Sequence, residues 1–281
     1  MTKKFLTLSL LLSTLLLLGC PAPAERQTIT IKGSDTLLQV GGRWAELYMN
    51  AHPDVTIQVT GGGSGTGIVA LIDGTTDICQ SSRPIKQEEK DKLKANKNAD
   101  VSEIPVALDA LAVYVHKDNP VAALTLEQVG KIFMGEITDW KDVGGMPGHI
   151  VLYGRENSSG TYVYFKEHVL QNKDFPPAYQ ALPGTGGVVD AVAKDKNGIG
   201  YGGIGYAKDI KTVPIKKDAA SAPVEPSMAN VLNNSYPISR QLFWYTAGAP
   251  QGAVKDLVDW VLGPDGQKVV SEKGFYPLKG E

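Results

Sequence analysis

Cysteine is nearly absent. The 281 residues hold two, Cys20 and Cys79. Neither a disulfide framework nor a cysteine-built zinc cluster can be assembled from them. Positive charge is not in excess either: 28 Lys and Arg stand against 30 Asp and Glu, a formal charge of -2, and the basic residues are scattered. No nucleic-acid partner is expected. The four histidines, His52, His116, His149 and His168, lie far apart and show no metal-ligand spacing. Signatures of catalysis are missing as well. The glycine-rich run 61–67 ends without the Lys of a P-loop. Thr66 stands where a G-x-G-x-x-G pattern needs its last Gly, and it also denies Ser64 a G-x-S-x-G elbow. With no motif that activates a nucleophile or water, the chain is expected to be no enzyme and to use neither metal nor cofactor.

What is present is a globular composition, 42% hydrophobic and 21% charged, with 31 glycines. That is enough for one large domain or two lobes of about 100–150 residues. The first residues stand apart. Lys3 and Lys4 precede an apolar run over 5–18, which closes on Leu17, Leu18, Gly19 and Cys20. The run is shorter than the about 20 apolar residues of a membrane span and reads as a secretory signal. Its ending resembles the lipobox of bacterial lipoproteins, in which the cysteine is acylated and becomes the first mature residue. Plain signal cleavage near Ala24 is the alternative. The expected division is a signal over 1–19, then lipidated Cys20 and a tether over 20–27. Loss of 1–19 takes away two lysines and no acid, leaving -4. Cys79, in an apolar stretch, is expected to be a buried small hydrophobe.

Strand and helix patterns alternate beyond the tether. Residues 28–32 and 55–60 read as strands. Between them Leu37, Val40, Trp44, Leu47 and Tyr48 fall on one helical face, which ends at His52-Pro53. A short helix follows 61–67, short strands lie over 77–79 and 150–153, and a buried strand over 111–115. Helices are expected over 125–134, where Thr125 and Gln128 have capping-box spacing, and over 161–170. This alternation implies an α/β fold with mostly parallel sheets. Residues 208–234 show no clear pattern.

Three strand-to-helix junctions share one chemistry: Gly33-Ser34-Asp35-Thr36, the run 61–67 around Ser64, and the run from Arg155 through Ser158, Ser159, Gly160 and Thr161. A helix start offers unpaired N–H groups and a partial positive charge, glycine allows close approach, and hydroxyls add neutral donors. Each loop alone reads first as an ordinary cap or turn. Three together, one led by an Arg able to grip an oxyanion with two N–H groups, point to an anion site.

These same residues, with the helix around Trp44, the 77–84 segment and Thr138-Asp139-Trp140, resemble the phosphate-binding proteins of Pst-type ABC importers over nearly the whole mature chain. The Arg-x-x-x-Ser-Gly-Thr element is the most specific part. The resemblance implies a two-lobed type II periplasmic-binding-protein fold, each lobe a mostly parallel sheet flanked by helices, with the ligand cleft between lobes. The chain is expected to cross near 109–113 and 206–213, giving lobe I from 28–111 with 212–281 and lobe II from 112–211. The ligand residues implied are Ser34, Asp35, Thr36, Ser64, Arg155, Ser159, Gly160 and Thr161. The third segment departs from the family: Ser82 stands where many members carry an Asp that accepts the proton of phosphate. Asp35 is expected to supply that acceptor. Arg83 is expected either as a second cationic ligand or as the partner of a carboxylate at the cleft.

The implied function is an exported, monomeric lipoprotein, at the cell surface or in the periplasm, that passes inorganic phosphate to the membrane subunits of an ABC importer. Two alternatives stay open. One is a binding protein for another tetrahedral oxyanion (sulfate, molybdate or tungstate), motivated by Ser82. The other is a lipid-anchored phosphatase.

Overall fold

The computed structural model describes residues 27–278. The signal, Cys20 and the tether as far as residue 26 lie outside them, and Gln27, expected in the tether, begins the first strand. In chain order the elements are β1 (Gln27–Gly33), α1 (Leu38–Ala51), β2 (Val55–Thr60), α2 (Ser64–Asp73), β3 (Ile78–Ser81), α3 (Gln87–Lys97) and β4 (Val101–Val115). Then come β5 (Leu124–Thr125), α4 (Leu126–Phe133), β6 (Val151–Arg155), α5 (Gly160–His168), β7 (Gln180–Leu182), α6 (Gly184–Lys194) and β8 (Gly198–Gly203). The chain ends with β9 (Lys211–Val213), β10 (Ile215–Lys216), α7 (Met228–Leu232), β11 (Ser239–Ala247), α8 (Gly252–Leu262) and α9 (Pro264–Glu272). Among the described residues no helix is long and apolar enough to cross a membrane.

One curled sheet runs β2-β1-β3-β11-β4-β8-β6-β7, with β9 also on β4. The outer pairs are parallel: β1 with β2 and β3, β6 with β7 and β8. The central strands are antiparallel: β11 against β3 and β4, and β4 against β8 and β9. The sheet is therefore mixed where the chain passes between lobes and parallel where βαβ units build each lobe. β4 makes the first passage. Its first part pairs with β11 up to Ala110, and from Leu111 it pairs with β8. Pro105, which has no N–H to give, faces Phe243 where the β4–β11 register shifts.

Two main cores lie on either side. In the first, alternate β1 residues Ile29 and Ile31 pack with Val40, Trp44 and Tyr48 of α1 and with Trp244. Trp44 meets Trp244 edge-on at 5.3 Å and donates its ring N–H to the Gly266 carbonyl at 2.8 Å. In the second, Phe165 stacks on Tyr201 at 3.9 Å and Phe133 closes on both. The capping box forms at α4: Gln128 N donates to Thr125 Oγ1 at 3.0 Å and Thr125 N to Gln128 Oε1 at 2.9 Å. Cys79 is buried and bonded to no other cysteine among the described residues.

The placement of 212–281 in the first lobe needs correction. Val213, Ile215, Val231, Tyr236 and Ile238 all pack in the second core, while Leu242, Trp244, Leu257 and Phe275 pack in the first. The chain returns near Ile238, not near 206–213. The short strands β9 and β10 add to β4 and β5 of the second lobe, and Lys211 Nζ ties the segment down by donating to the Asn119 and Val121 carbonyls at 2.8 and 2.6 Å.

Candidate anion site between the lobes

β1, β2 and β6 each end in a glycine- or hydroxyl-rich turn that starts a helix, and the three helix starts converge on the gap between lobes. β1 reaches Gly33 and β3 reaches Ser81, so the 34–36 turn and Ser82 emerge side by side; Ser34 N donates to Gln80 O at 2.8 Å. α2 starts at Ser64 with no side chain capping it. α5 starts at Gly160 with Ser159 as its cap, whose Oγ accepts from Thr161 N at 3.2 Å and Tyr162 N at 3.4 Å.

Hydroxyls from four segments meet there. Thr36 Oγ1 lies 3.0 Å from Thr161 Oγ1, Ser82 Oγ lies 3.4 Å from Thr161 Oγ1, and Ser64 Oγ lies 3.3 Å from Ser82 Oγ. Ser82 N donates to Ser64 Oγ at 3.0 Å. Thr36, Ser64, Ser82 and Thr161 are fully buried, and Ser34 and Ser159 nearly so. Gly160 leaves the room for this meeting: a Cβ on it would stand 2.8 Å from Ser82 Oγ and nearer still to Ser64 Oγ. Facing turns also touch through backbone, Gly65 N donating to Ser158 O at 2.9 Å across the lobes. The lobes are closed on one another.

Arg155, at the end of β6, is buried to 3% side-chain exposure, and its Nη2 lies 2.5 Å from Asp35 Oδ2 of the opposite lobe. Its Nη1 donates to Thr185 Oγ1 at 2.9 Å, and its carbonyl accepts from the Tyr179 hydroxyl at 2.9 Å. Its Nε is buried without a hydrogen-bond partner among the described residues. Asp35 is held on both oxygens, since Oδ1 accepts from Gly62 N at 2.9 Å. The Tyr206 hydroxyl adds a bond to the Asp35 carbonyl at 2.6 Å.

Every residue expected at the site except Arg83 is in this cluster or borders it. Arg83 is turned away. Its Nη1 and Nη2 fork onto Glu89 at 2.8 and 2.6 Å, a carboxylate of α3 outside the hydroxyl cluster. Burial pushes the Glu89 carboxyl up, but the Arg83 fork and the Lys86 amide outweigh it and hold the group below the ordinary Glu range.

Sequence reasoning missed Thr185 as the brace of Arg155. It also missed a second, deeper pair. Arg240 Nε and Nη2 donate to Asp109 Oδ2 at 2.9 and 2.8 Å, both residues being buried. Burial pushes the Asp109 carboxyl up, against the pull of Arg240. A signal existed: Asp109 interrupts the apolar run 106–115, and Arg240 stands at the head of another over 242–245. A charge inside a strand buried on both faces needs a partner.

Comparison with known proteins shows the family. The family model of the PBP superfamily domain matches residues 21–265. The phosphate-binding protein PstS of Pseudomonas aeruginosa is 39% identical over 264 residues, covering 88% of this chain and 81% of that protein. A putative phosphate ABC transporter substrate-binding protein from Clostridium perfringens, solved with bound phosphate, superposes with a TM-score of 0.82 at 32% identity, over 90% of this chain and all of that one. An ABC-type phosphate transport receptor from Vibrio cholerae gives 0.70 at 28% identity, over 88% and 99%. The chain belongs to the PBP superfamily and, within it, to the PstS-type phosphate-binding proteins.

Proposed function

We propose that this chain is an extracytoplasmic solute-binding lipoprotein that captures inorganic phosphate between its two lobes and delivers it to the membrane subunits of an ABC importer. The observation that carries the reading is the buried meeting of Thr36, Ser64, Ser82 and Thr161 hydroxyls where three helices start, beside the unpartnered Nε of Arg155. Such a place supplies many neutral donors and one cation, which suits a small, multiply charged oxyanion. Bonds to a charged group contribute about 1.5–3 kcal/mol each, so micromolar or tighter affinity, about -8 kcal/mol or better, is expected after ordering costs.

The ligand set we assign is Ser34, Asp35, Thr36, Ser64, Ser82, Arg155, Ser159, Gly160 and Thr161. Packing supports lobes of 27–110 with 239–278 and of 111–238. Closure brings Arg155 to the turns of the first lobe, and a ligand that bridges both lobes shifts the population to the closed form. The importer would read that shape. The anchor on Cys20 and the exported location follow from the leader sequence, and a single copy suffices for the site. Catalysis is not expected, and the carboxylates Asp35 and Asp109 are each tied to an arginine rather than poised as a base.

One observation favours the second reading, another tetrahedral oxyanion. Each Asp35 oxygen already accepts a bond, from Arg155 and from Gly62 N, which weakens it as acceptor for the proton of phosphate, and a hydroxyl such as Ser82 repels unprotonated sulfate less than a carboxylate does. Competition decides between them. Phosphate bound to the ligand-stripped mature chain should resist excess sulfate and molybdate. Displacement by either would reassign the ligand, and turnover of a phosphate ester that fails on Ser64→Ala would revive a hydrolase.

A further inference from the structure

We propose that Arg240, locked to Asp109 where the chain crosses between the lobes, is a positioning residue that fixes the Thr161 hydroxyl as a donor to the bound anion. The inference rests on the anion-binding reading above. Arg240 is the second residue of β11, and its register partner on β4 is Asp109. Beyond the two bonds to Asp109, its Nη2 donates to Thr161 Oγ1 at 3.1 Å and its Nη1 to the Ser82 carbonyl at 3.0 Å. One guanidinium thus holds a first-lobe turn and the start of α5 in the second lobe. Asp109 in turn accepts from Ile204 N at 3.0 Å, just past the end of β8. The Tyr164 ring lies 5.5 Å from the guanidinium carbon, and its hydroxyl donates to the carbonyl of Ser239 at 2.7 Å.

The consequence for Thr161 is one of proton direction. A hydroxyl has a single proton to give. With Arg240 donating into Thr161 Oγ1, that proton must point away, toward Thr36, Ser82 or an anion between them. Asp109 balances the charge of Arg240, so the guanidinium orients the site without adding net positive charge to it. The other hydroxyls are aimed in the same way by amides: Ser64 by Ser82 N, and Ser159 by Thr161 N and Tyr162 N. Ser82 Oγ receives no N–H and is left to turn either way. Arg240 is also placed to couple closure to binding, because its bonds to Ser82 and Thr161 exist together only when the lobes meet.

A double-mutant cycle on phosphate affinity tests this, with Arg240→Lys made in the wild-type and Thr161→Val backgrounds. Lys keeps the charge beside Asp109 but cannot span Asp109, Ser82 and Thr161 at once. Loss of about tenfold in affinity is expected with Thr161 present, and less than about twofold with Val there. Equal losses in both backgrounds, or none in either, overturn the proposal. Should Arg240→Lys not fold, a high-resolution crystal structure of the wild-type chain with phosphate decides. Arg240 Nη2 on Thr161 Oγ1, with that oxygen bonded to the anion, supports the proposal; Arg240 on the anion itself, or away from Thr161, overturns it. Failure of the wild-type chain to bind phosphate at all would instead sink the functional reading.

Discussion

Gly160→Ala separates binding from folding. Gly160 is the first residue of α5, and its backbone is not in the left-handed region, so alanine costs the helix nothing there. Removal of glycine's freedom in the unfolded chain should stabilise the protein by about 0.4–1 kcal/mol. The added methyl, however, lands 2.8 Å from Ser82 Oγ and closer still to Ser64 Oγ. Both oxygens belong to the opposite lobe. Either the lobes stay slightly apart or both hydroxyls turn out of the site. Two bonds to a charged ligand at about 1.5–3 kcal/mol each set a loss of at least about 3 kcal/mol, or roughly 150-fold in affinity. Calorimetric titration with phosphate reads the affinity, a thermal melt of the ligand-free protein reads the fold, and small-angle scattering with saturating ligand reads closure. An unchanged or raised melting temperature with a large loss of binding is expected. Affinity within threefold of wild type would refute the claim that these hydroxyls converge on the ligand beside Gly160.

Three further outcomes follow from the same geometry. Thr185→Val removes the brace on Arg155 Nη1, a bond from a charged donor, and should weaken phosphate binding by at least about tenfold. Gly67→Ala should act on the fold instead: a Cβ there would press on the Lys32 carbonyl and the Gly33 Cα inside one lobe, so stability should fall by about 1–3 kcal/mol in denaturant titration. Glu89 titrates below the ordinary Glu range, so its pairing with Arg83 adds stability that is present above that range and lost as pH falls through the lowered value. Glu89→Gln should therefore lower the melting temperature at neutral pH and flatten its fall below about pH 4. A parallel fall in both proteins would contradict that.

Much of the site was legible because helix-start chemistry is local. Ser34, Ser64 and Ser159 each announce a turn within a few residues of the strand before it, and three such turns at strand ends must lie on one side of an α/β sheet. The partner of Arg83 lies only six residues on, yet whether Arg83 faced the cleft or Glu89 depended on packing no local pattern records. The Asp109–Arg240 pair spans 131 residues, and only the interruption of two apolar runs hinted at it. The role of Asp35 was half legible. Its place at the helix start was read correctly, but its engagement by Arg155, 120 residues away, is a tertiary fact. β4 is longer than its expected 111–115 because Glu103 and Pro105 break the apolar pattern in a region bordered by β11. The return crossing was misplaced because β9, β10 and α7 are too short to show a period, and they hold to the second lobe through Val213, Ile215 and Val231.

The most direct test of the central claim is calorimetric titration of the ligand-stripped mature chain with phosphate, repeated on Arg155→Ala. Micromolar or tighter binding is expected of the wild type and a loss of at least about 100-fold in the variant, since a buried charge-assisted contact from Nε and the interlobe bond to Asp35 disappear together. Binding of equal strength in both proteins would place the anion elsewhere and contradict the site described between the lobes.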